Sequence, residues 1–200
     1  MLSLMETQGL LQERNISFTL YLSDGGSLVH NARTKAAHHF LKSECTHLFW
    51  VDSDIVWKAD DFLRILALAT RMECVAVSYP LKQDDLQFVL NVENPSQTVK
   101  SDEYGCIDVN SLGIGFTCVQ RKVIEELAAK APAVRISQYG IMPRIFRLDD
   151  PDNVSRGEDI AFFDDVRALG YKVHLDPKIE LGHVGSKVYR GALSQFLKRV

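Results

Sequence analysis

The sequence has no long apolar run, no closely spaced cysteines and no large excess of one charge, and each absence excludes a class of protein. No apolar stretch reaches the roughly 20 residues of a membrane-spanning helix. The four cysteines are scattered without a C-x-x-C pair, which favours reduced core thiols over a disulfide scaffold. The net charge of -3 gives no electrostatic reason to expect nucleic acid or a membrane surface as partner.

What is present suits one cytoplasmic domain spanning 1–200. Of the 200 residues, 46% are hydrophobic, which is enough for a substantial core. The first residues lack the basic-then-apolar pattern of a secretory signal. Residues 1–80 alternate strand and helix patterns, whereas 81–200 are more irregular, so we expect a nucleotide-binding half followed by a half that shapes an acceptor pocket.

The periodicity predicts an α/β fold with a mixed, mostly parallel, Rossmann-like sheet flanked by helices. Helices are predicted at 1–14, 28–41, from about 60, at 121–130, 158–169 and 191–200. Strands are predicted at 16–22, 48–51, 74–78, 107–119, 171–175 and 179–181, with loops at 82–103 and 133–157.

Two carboxylates, Asp52 and Asp54, follow the apolar run Leu48–Val51 at the point where that strand should end. Ligands bind at the carboxyl ends of strands in open α/β sheets. A carboxylate pair there can hold a divalent cation, and the cation can hold a diphosphate. The alternative is an ordinary acidic turn before a helix.

Two further clusters carry possible chemistry. Ser155 and Glu158 have the spacing of a capping box, in which the serine caps the helix and the glutamate reaches back. That role would leave Asp159 free to act as a general base, although it could also simply complement the helix dipole. His183 lies between glycines, where an imidazole can reach a metal ion without crowding, or can be purely structural.

Four segments taken together resemble a known family. They are S-L-V-H-N-A-R-T-K-A-A (27–37), T-H-L-F-W-V-D-S-D-I (46–55), V-N-S-L-G-I-G-F-T-C-V-Q-R-K-V (109–123) and the stretch 155–185 with its E-D and G-H-V-G motifs. In this order they resemble nucleotide-sugar-dependent glycosyltransferases of the GT-A fold, especially the family-2-like enzymes of bacteria and phages. The resemblance implies metal-dependent transfer of a sugar from a nucleotide-sugar donor to a carbohydrate or other hydroxyl acceptor.

The resemblance also implies roles for individual residues. Asp54 and His183 match metal ligands for Mn²⁺ or Mg²⁺, with Asp52 beside them or near the donor. Asp159, with Glu158, matches the acidic motif that supplies the base on the acceptor hydroxyl. The implied donor-binding residues are Asn31, Arg33, Asp52, Gly113, Gly115 and Phe116. The family has a first strand before the helix predicted at 1–14, and this sequence lacks it.

Three other functions fit parts of the sequence. The segment F-W-V-D-S-D-I-V (49–56) also resembles the nucleophile motif of haloacid-dehalogenase-type phosphatases, with Asp52 as nucleophile. The later acidic motif of those enzymes should follow an apolar strand, and Glu158 does not. A nucleotidyltransferase would need a Gly-rich basic N-terminal loop, which is absent. A non-catalytic sugar- or nucleotide-binding remnant is the third possibility.

Overall fold

The structure, a computed structural model, describes residues 2–23, 28–92, 99–136, 139–148 and 156–197. Ser155 of the predicted capping box and Asn94 to Ser96 of the loop predicted at 82–103 lie outside these residues.

The main sheet has five strands in the order β1 (His47–Val51), β7 (Phe116–Gln120), β3 (Cys74–Ala76), β10 (Val173–Leu175) and β5 (Ile107–Val109). Only the pairing of β3 with β10 is parallel, while β1–β7, β3–β7 and β10–β5 are antiparallel. The fold is therefore mixed α/β, and the prediction of a mostly parallel sheet is wrong.

The reason is that β7 inserts between β1 and β3. These two strands both run antiparallel to β7, so they point the same way, as their strand–helix–strand pattern predicts. Local periodicity gives the direction of a strand relative to its helix, but it cannot show that a later strand will separate the two.

The helices agree closely with the periodicity. Their bounds are α1 Leu2–Glu13, α2 Val29–Leu41, α3 Ala59–Ala69, α4 Arg121–Lys130 and α5 Glu158–Ala168. Helix α5 is followed by Gly170 at φ +91°, a left-handed position that suits glycine at a helix end.

Helix α1 packs two hydroxyl side chains inward. Its buried residues are Ser3, Thr7 and Leu11, whereas Leu2 and Met5 are exposed. The indole Nε1 of Trp57 donates to Thr7 Oγ1 at 2.8 Å, and the Trp57 backbone N–H donates to Ser3 Oγ at 3.2 Å. Hydroxyl partners for a buried indole therefore decide which side of the helix faces inward.

Short strands form three smaller sheets. In one, β11 (Leu181–Val184) lies between β12 (Val188–Gly191) and β2 (Ile55–Val56). In the others, β4 (Leu90–Asn91) pairs with β6 (Ser111–Leu112), and β8 (Ala133–Arg135) pairs with β9 (Ile141–Pro143).

Three sequence predictions are wrong here. The segment 16–22 forms neither a helix nor a strand and belongs to no strand pairing. The predicted loop 133–157 contains the β8–β9 hairpin, and the predicted C-terminal helix is replaced over its described part by β12 and a short 3-10 helix, Leu193–Gln195.

Buried apolar residues fill both faces of the main sheet and include Cys74, Cys106 and Cys118. The cysteines are free, as predicted, and burial raises the pKa of the Cys74 thiol to about 12. No helix within the described part of the chain is long and apolar enough to span a membrane.

Candidate functional site

The end of strand β1 presents the two carboxylates predicted from the sequence. The Asp52 N–H donates to the carbonyl of Gly115 at 2.9 Å, which ties the strand end to the segment before β7. The Ile55 N–H donates back to the Asp52 carbonyl at 3.1 Å, so a tight turn carries Asp54 into β2. This turn separates the two side chains, and each joins a different group of partners.

Asp52 belongs to a group centred on Arg33. The Arg33 side chain is only 10% exposed, and its Nη2 lies 3.0 Å from both oxygens of Asp52. Its Nη1 donates to Glu158 Oε1 at 2.7 Å. One guanidinium thus bridges two carboxylates that lie more than a hundred positions apart in sequence, a geometry that suits the planar fork of arginine.

Glu158 reaches Arg33 because it does not cap its own helix. The residue preceding α5 is Gly157, and no side chain makes a capping hydrogen bond there. Glu158 is thus the first residue of α5 and not the third, as a capping box would require, and the other member, Ser155, lies outside the described residues. The spacing from Ser155 to Glu158 matches a capping box, so the sequence offers a local role for Glu158. Only the fold shows that Glu158 instead pairs with a residue far away in sequence.

Asp54 belongs to a second group with His183 and Lys82. Strand β11 pairs with β2 so that His183 lies opposite Ile55. This register brings His183 Nε2 to 3.3 Å from Asp54 Oδ2. The same oxygen accepts a hydrogen bond from Lys82 Nζ at 2.6 Å. Burial acts to raise the pKa of Asp54, but Lys82 and His183 together outweigh it and lower the net pKa.

The other ring nitrogen of His183 is already committed. Its Nδ1 lies 2.9 Å from the carbonyl oxygen of Pro80, and because a carbonyl only accepts, Nδ1 carries the hydrogen. In a neutral imidazole Nε2 then presents its lone pair to Asp54 Oδ2. Two acceptors at this separation need a cation beside them, which the Lys82 ammonium at Oδ2 or a metal ion shared by both atoms can supply.

Tyr79 lies between the two groups. Its ring packs edge-on against His183 with 5.0 Å between ring centroids. A Cβ on Gly113 would lie 2.4 Å from the Tyr79 hydroxyl oxygen, and a Cβ on Gly115 would lie 2.6 Å from Asp52 Oδ2. These two glycines therefore make room for Tyr79 and Asp52. Burial, with the charge of Asp52, raises the pKa of Tyr79, so its hydroxyl stays neutral.

One residue implied as a donor ligand belongs to the core. Phe116 is fully buried and packs against Phe49, so its side chain does not face an open site. Asn31 lies in the first turn of α2, two residues before Arg33, and its role as a donor ligand stays a prediction.

Asp159 is half-buried at the start of α5. Its Oδ1 accepts the Ile160 N–H at 2.8 Å. Burial, reinforced by the charge of Glu158, raises the pKa of Asp159. A carboxylate whose proton affinity is raised in this way is suited to accept a proton.

Asp54 and His183 together suit a divalent cation that has two protein ligands. Among the described residues, no group of three or more His, Cys, Asp or Glu side chains could hold a metal ion, so Asp52 does not join Asp54 and His183 as a third ligand. One carboxylate and one imidazole suit Mn²⁺, and substrate phosphates and water commonly complete such a site. The excess of carboxylates over cationic side chains around Arg33 and Lys82 also favours a cation.

Sequence reasoning missed Tyr79 and Lys82. Both follow β3, and the carboxyl ends of neighbouring parallel strands converge on ligand sites, so the strand end at 77–80 was a usable signal for Tyr79. Lys82 gave no such signal, because it lies in a polar stretch whose path only the fold defines.

No protein family and no curated protein matches the sequence. Among solved structures, the crystal structure of A197 from STIV is similar over 96% of this chain and 83% of that chain, with a TM-score of 0.57 and 18% sequence identity. At this identity the similarity shows a shared fold and nothing about activity.

These findings correct the family identification drawn from the four motifs. Placing the chain among family-2-like GT-A glycosyltransferases that have lost a first strand is wrong: no family matches, and three of the four pairings in the main sheet are antiparallel. Short acidic motifs at strand and helix ends arise in many folds for capping and ion pairing. The roles of individual residues therefore depend on the geometry described above.

Proposed function

We propose that Asp54 and His183 bind a divalent cation, Mn²⁺ or Mg²⁺, together with a nucleotide-sugar, and that the protein transfers the sugar to a hydroxyl acceptor. One observation carries the proposal: Asp54 Oδ2 and His183 Nε2 face each other at 3.3 Å while Pro80 fixes the imidazole tautomer. An imidazole oriented through its second nitrogen is typical of metal-ligating histidines.

On the donor side, each proposed role follows from a contact. Asp54 and His183 would hold the cation, which when bound stabilises the charge that builds on the departing nucleoside diphosphate. Arg33 keeps Asp52 in place beside Gly115, where the absence of a side chain makes room for the Asp52 carboxylate. Tyr79 stays uncharged between the two groups and limits the space available to the sugar.

On the acceptor side, Asp159 would accept the proton of the attacking hydroxyl. Glu158 is engaged by Arg33 and is therefore a positioning residue rather than a second base. Among the described residues, the one side-chain hydrogen bond of Asp159 is with the Ile160 N–H of its own helix, and burial increases its proton affinity. General-base assistance of this kind is worth about 10²- to 10⁴-fold in rate.

The geometry disfavours the phosphatase. A nucleophilic Asp52 would need an open oxygen, yet Arg33 Nη2 lies 3.0 Å from both. The non-catalytic alternative predicts the same donor site without turnover, and the assay below separates it from a transferase.

The deciding experiment incubates the protein with a panel of UDP- and GDP-sugars, Mn²⁺ and sugar acceptors. Release of UDP or GDP with formation of a glycoside supports the transferase, whereas release of inorganic phosphate from sugar phosphates supports a phosphatase. Binding of nucleotide-sugars without turnover across the panel supports the non-catalytic alternative.

A paired measurement tests the metal ligand. In calorimetry Asp54→Ala should abolish Mn²⁺-dependent binding of UDP or GDP. Asp60→Ala, which removes an exposed carboxylate at the start of α3, is the matched control and should leave binding intact. Unchanged binding by the Asp54 variant would refute the metal assignment.

A further inference from the structure

Lys82 already places a positive charge at the proposed cation site. Its Nζ lies 2.6 Å from Asp54 Oδ2, and the two side chains are 39% and 38% exposed. This oxygen is the one that faces His183 Nε2. The protein therefore carries its own cation at the atom that a metal ion would need.

The backbone around Lys82 holds it there. The Leu81 N–H donates to the Gln87 carbonyl at 2.7 Å, which closes a turn containing Lys82. This turn is joined to the β11–β12 hairpin by the ion pair of Lys187 with Asp84. The aliphatic part of Lys82 also runs beside Gly185, where an added Cβ would lie 3.2 Å from its Cδ.

The two cations compete for Asp54 Oδ2. An ammonium group at hydrogen-bond distance from this oxygen and a divalent ion ligated by the same oxygen would repel each other strongly at that separation. We therefore expect Lys82 to leave Oδ2 when a divalent ion binds. Its flexible four-carbon stem and partial exposure allow it to move without disturbing the core.

The displaced ammonium would remain within a side chain's length of the site. A diphosphate bound through the cation brings several anionic oxygens to the same place, and lysine is a common point-charge ligand for phosphate.

We propose that Lys82 is the built-in counter-cation of Asp54, that it competes with the divalent ion in the ligand-free protein, and that it then pairs with the phosphates of the nucleoside diphosphate. This inference rests on the proposed donor site and deepens it. Lys82 thereby links metal binding to nucleotide binding, since the metal alone displaces a favourable contact whereas metal with diphosphate restores one.

The first test measures Mn²⁺ alone, by electron paramagnetic resonance of free ion or by calorimetry, without nucleotide. Lys82→Met should tighten Mn²⁺ binding by about fivefold or more, the scale of one partly exposed ion pair. Lys122→Met is the matched control because Lys122 pairs with Glu73 at 2.9 Å, and it removes the same charge far from the site. Unchanged or weaker Mn²⁺ binding by the Lys82 variant would overturn the proposal.

The second test measures UDP and GDP at saturating Mn²⁺. Lys82→Met should weaken binding of the diphosphate by roughly tenfold, the effect of losing one charge-assisted hydrogen bond, while Lys82→Arg should retain most of it. Equal affinity in wild type and Lys82→Met would remove the phosphate role.

These outcomes are distinct from failure of the proposed function, because neither test requires sugar transfer. Tighter Mn²⁺ binding by Lys82→Met with no turnover on any nucleotide-sugar would uphold Lys82 as counter-cation and reject the transferase. Failure of wild type and both Lys82 variants to bind Mn²⁺ would reject the counter-cation role, even if sugar transfer were detected.

Discussion

Arg33 offers the sharpest test of the proposed site, because its guanidinium contacts both Asp52 and Glu158. The Arg33 side chain is 10% exposed, Glu158 is 14% exposed and Asp52 is 35% exposed. Removing one partner of a fully buried ion pair costs about 3–5 kcal/mol because the remaining charge stays buried. Since Asp52 is partly hydrated, we expect Arg33→Met to cost about 2–3 kcal/mol.

Urea unfolding followed by circular dichroism measures this cost. With a urea dependence of about 2–3 kcal/mol per molar, the unfolding midpoint should fall by about 1 M. A double-mutant cycle with Glu158→Gln should give a coupling free energy of about 1.5–3 kcal/mol. The pair of Lys122 with Glu73, more exposed at 50% and 31%, should give only about 0.2–1 kcal/mol.

The two coupling free energies show whether Arg33 and Glu158 form a buried ion pair. If the Arg33–Glu158 coupling is no larger than that of Lys122 with Glu73, the two carboxylates are not held by a buried guanidinium. Glu158 would then not position Arg33, and its engagement by Arg33 would no longer favour Asp159 as the base.

Three further predictions follow from single contacts. Gly115→Ala should weaken binding of UDP or GDP at least several-fold and destabilise the fold by about 1–3 kcal/mol, because the new Cβ would lie 2.6 Å from Asp52 Oδ2. Asp159→Asn should keep Mn²⁺-dependent diphosphate binding but lose turnover. Burial raises the folded pKa of Asp159, so its contribution to wild-type stability is fully present below the ordinary aspartate pKa and is lost as pH rises through the folded pKa. The stability of the variant relative to wild type should therefore rise with pH. Thr7→Val should cost about 1–3 kcal/mol in thermal or urea unfolding, because it leaves the buried Trp57 Nε1 without its acceptor.

Each of these has an internal control. Gly9→Ala in α1 meets nothing within 4 Å and should stabilise the helix by roughly 0.5–1 kcal/mol, which separates steric conflict at Gly115 from a general effect of the substitution. Asp60→Asn should show no such pH-dependent gain in stability, and near-normal turnover by the Asp159 variant would rule that residue out as the base. A Thr7 variant as stable as wild type would show that Trp57 finds another acceptor.

Local pattern alone was sufficient for the helices and for the turn that bears Asp52 and Asp54. A helix is defined by contacts three and four residues apart, so its apolar stripe and its end signals, such as Gly170 after α5, are written in one stretch of sequence. Likewise the apolar strand β1 followed by D-S-D predicts a strand end that carries carboxylates, and the structure has one.

Strand pairing could not be read in the same way. The segment 16–22 alternates like a strand yet pairs with nothing, whereas β7 inserts between β1 and β3. Alternation reports which side chains share a face of an extended segment. Which strand becomes its neighbour depends on hydrogen bonds and packing between residues far apart in sequence, and a short segment of sequence contains no information about them.

The site follows the same division. The sequence singled out Asp54, His183, Arg33 and Glu158 as chemically interesting, but it gave Glu158 a local capping role and left Lys82 unnoticed. The tertiary structure alone decided that Arg33 joins Asp52 to Glu158 and that Lys82 and His183 share one oxygen of Asp54. Charged side chains pair when they lie close together in space. That proximity is set only when β2 pairs with β11 and when the ends of β1 and β3 meet the start of α5.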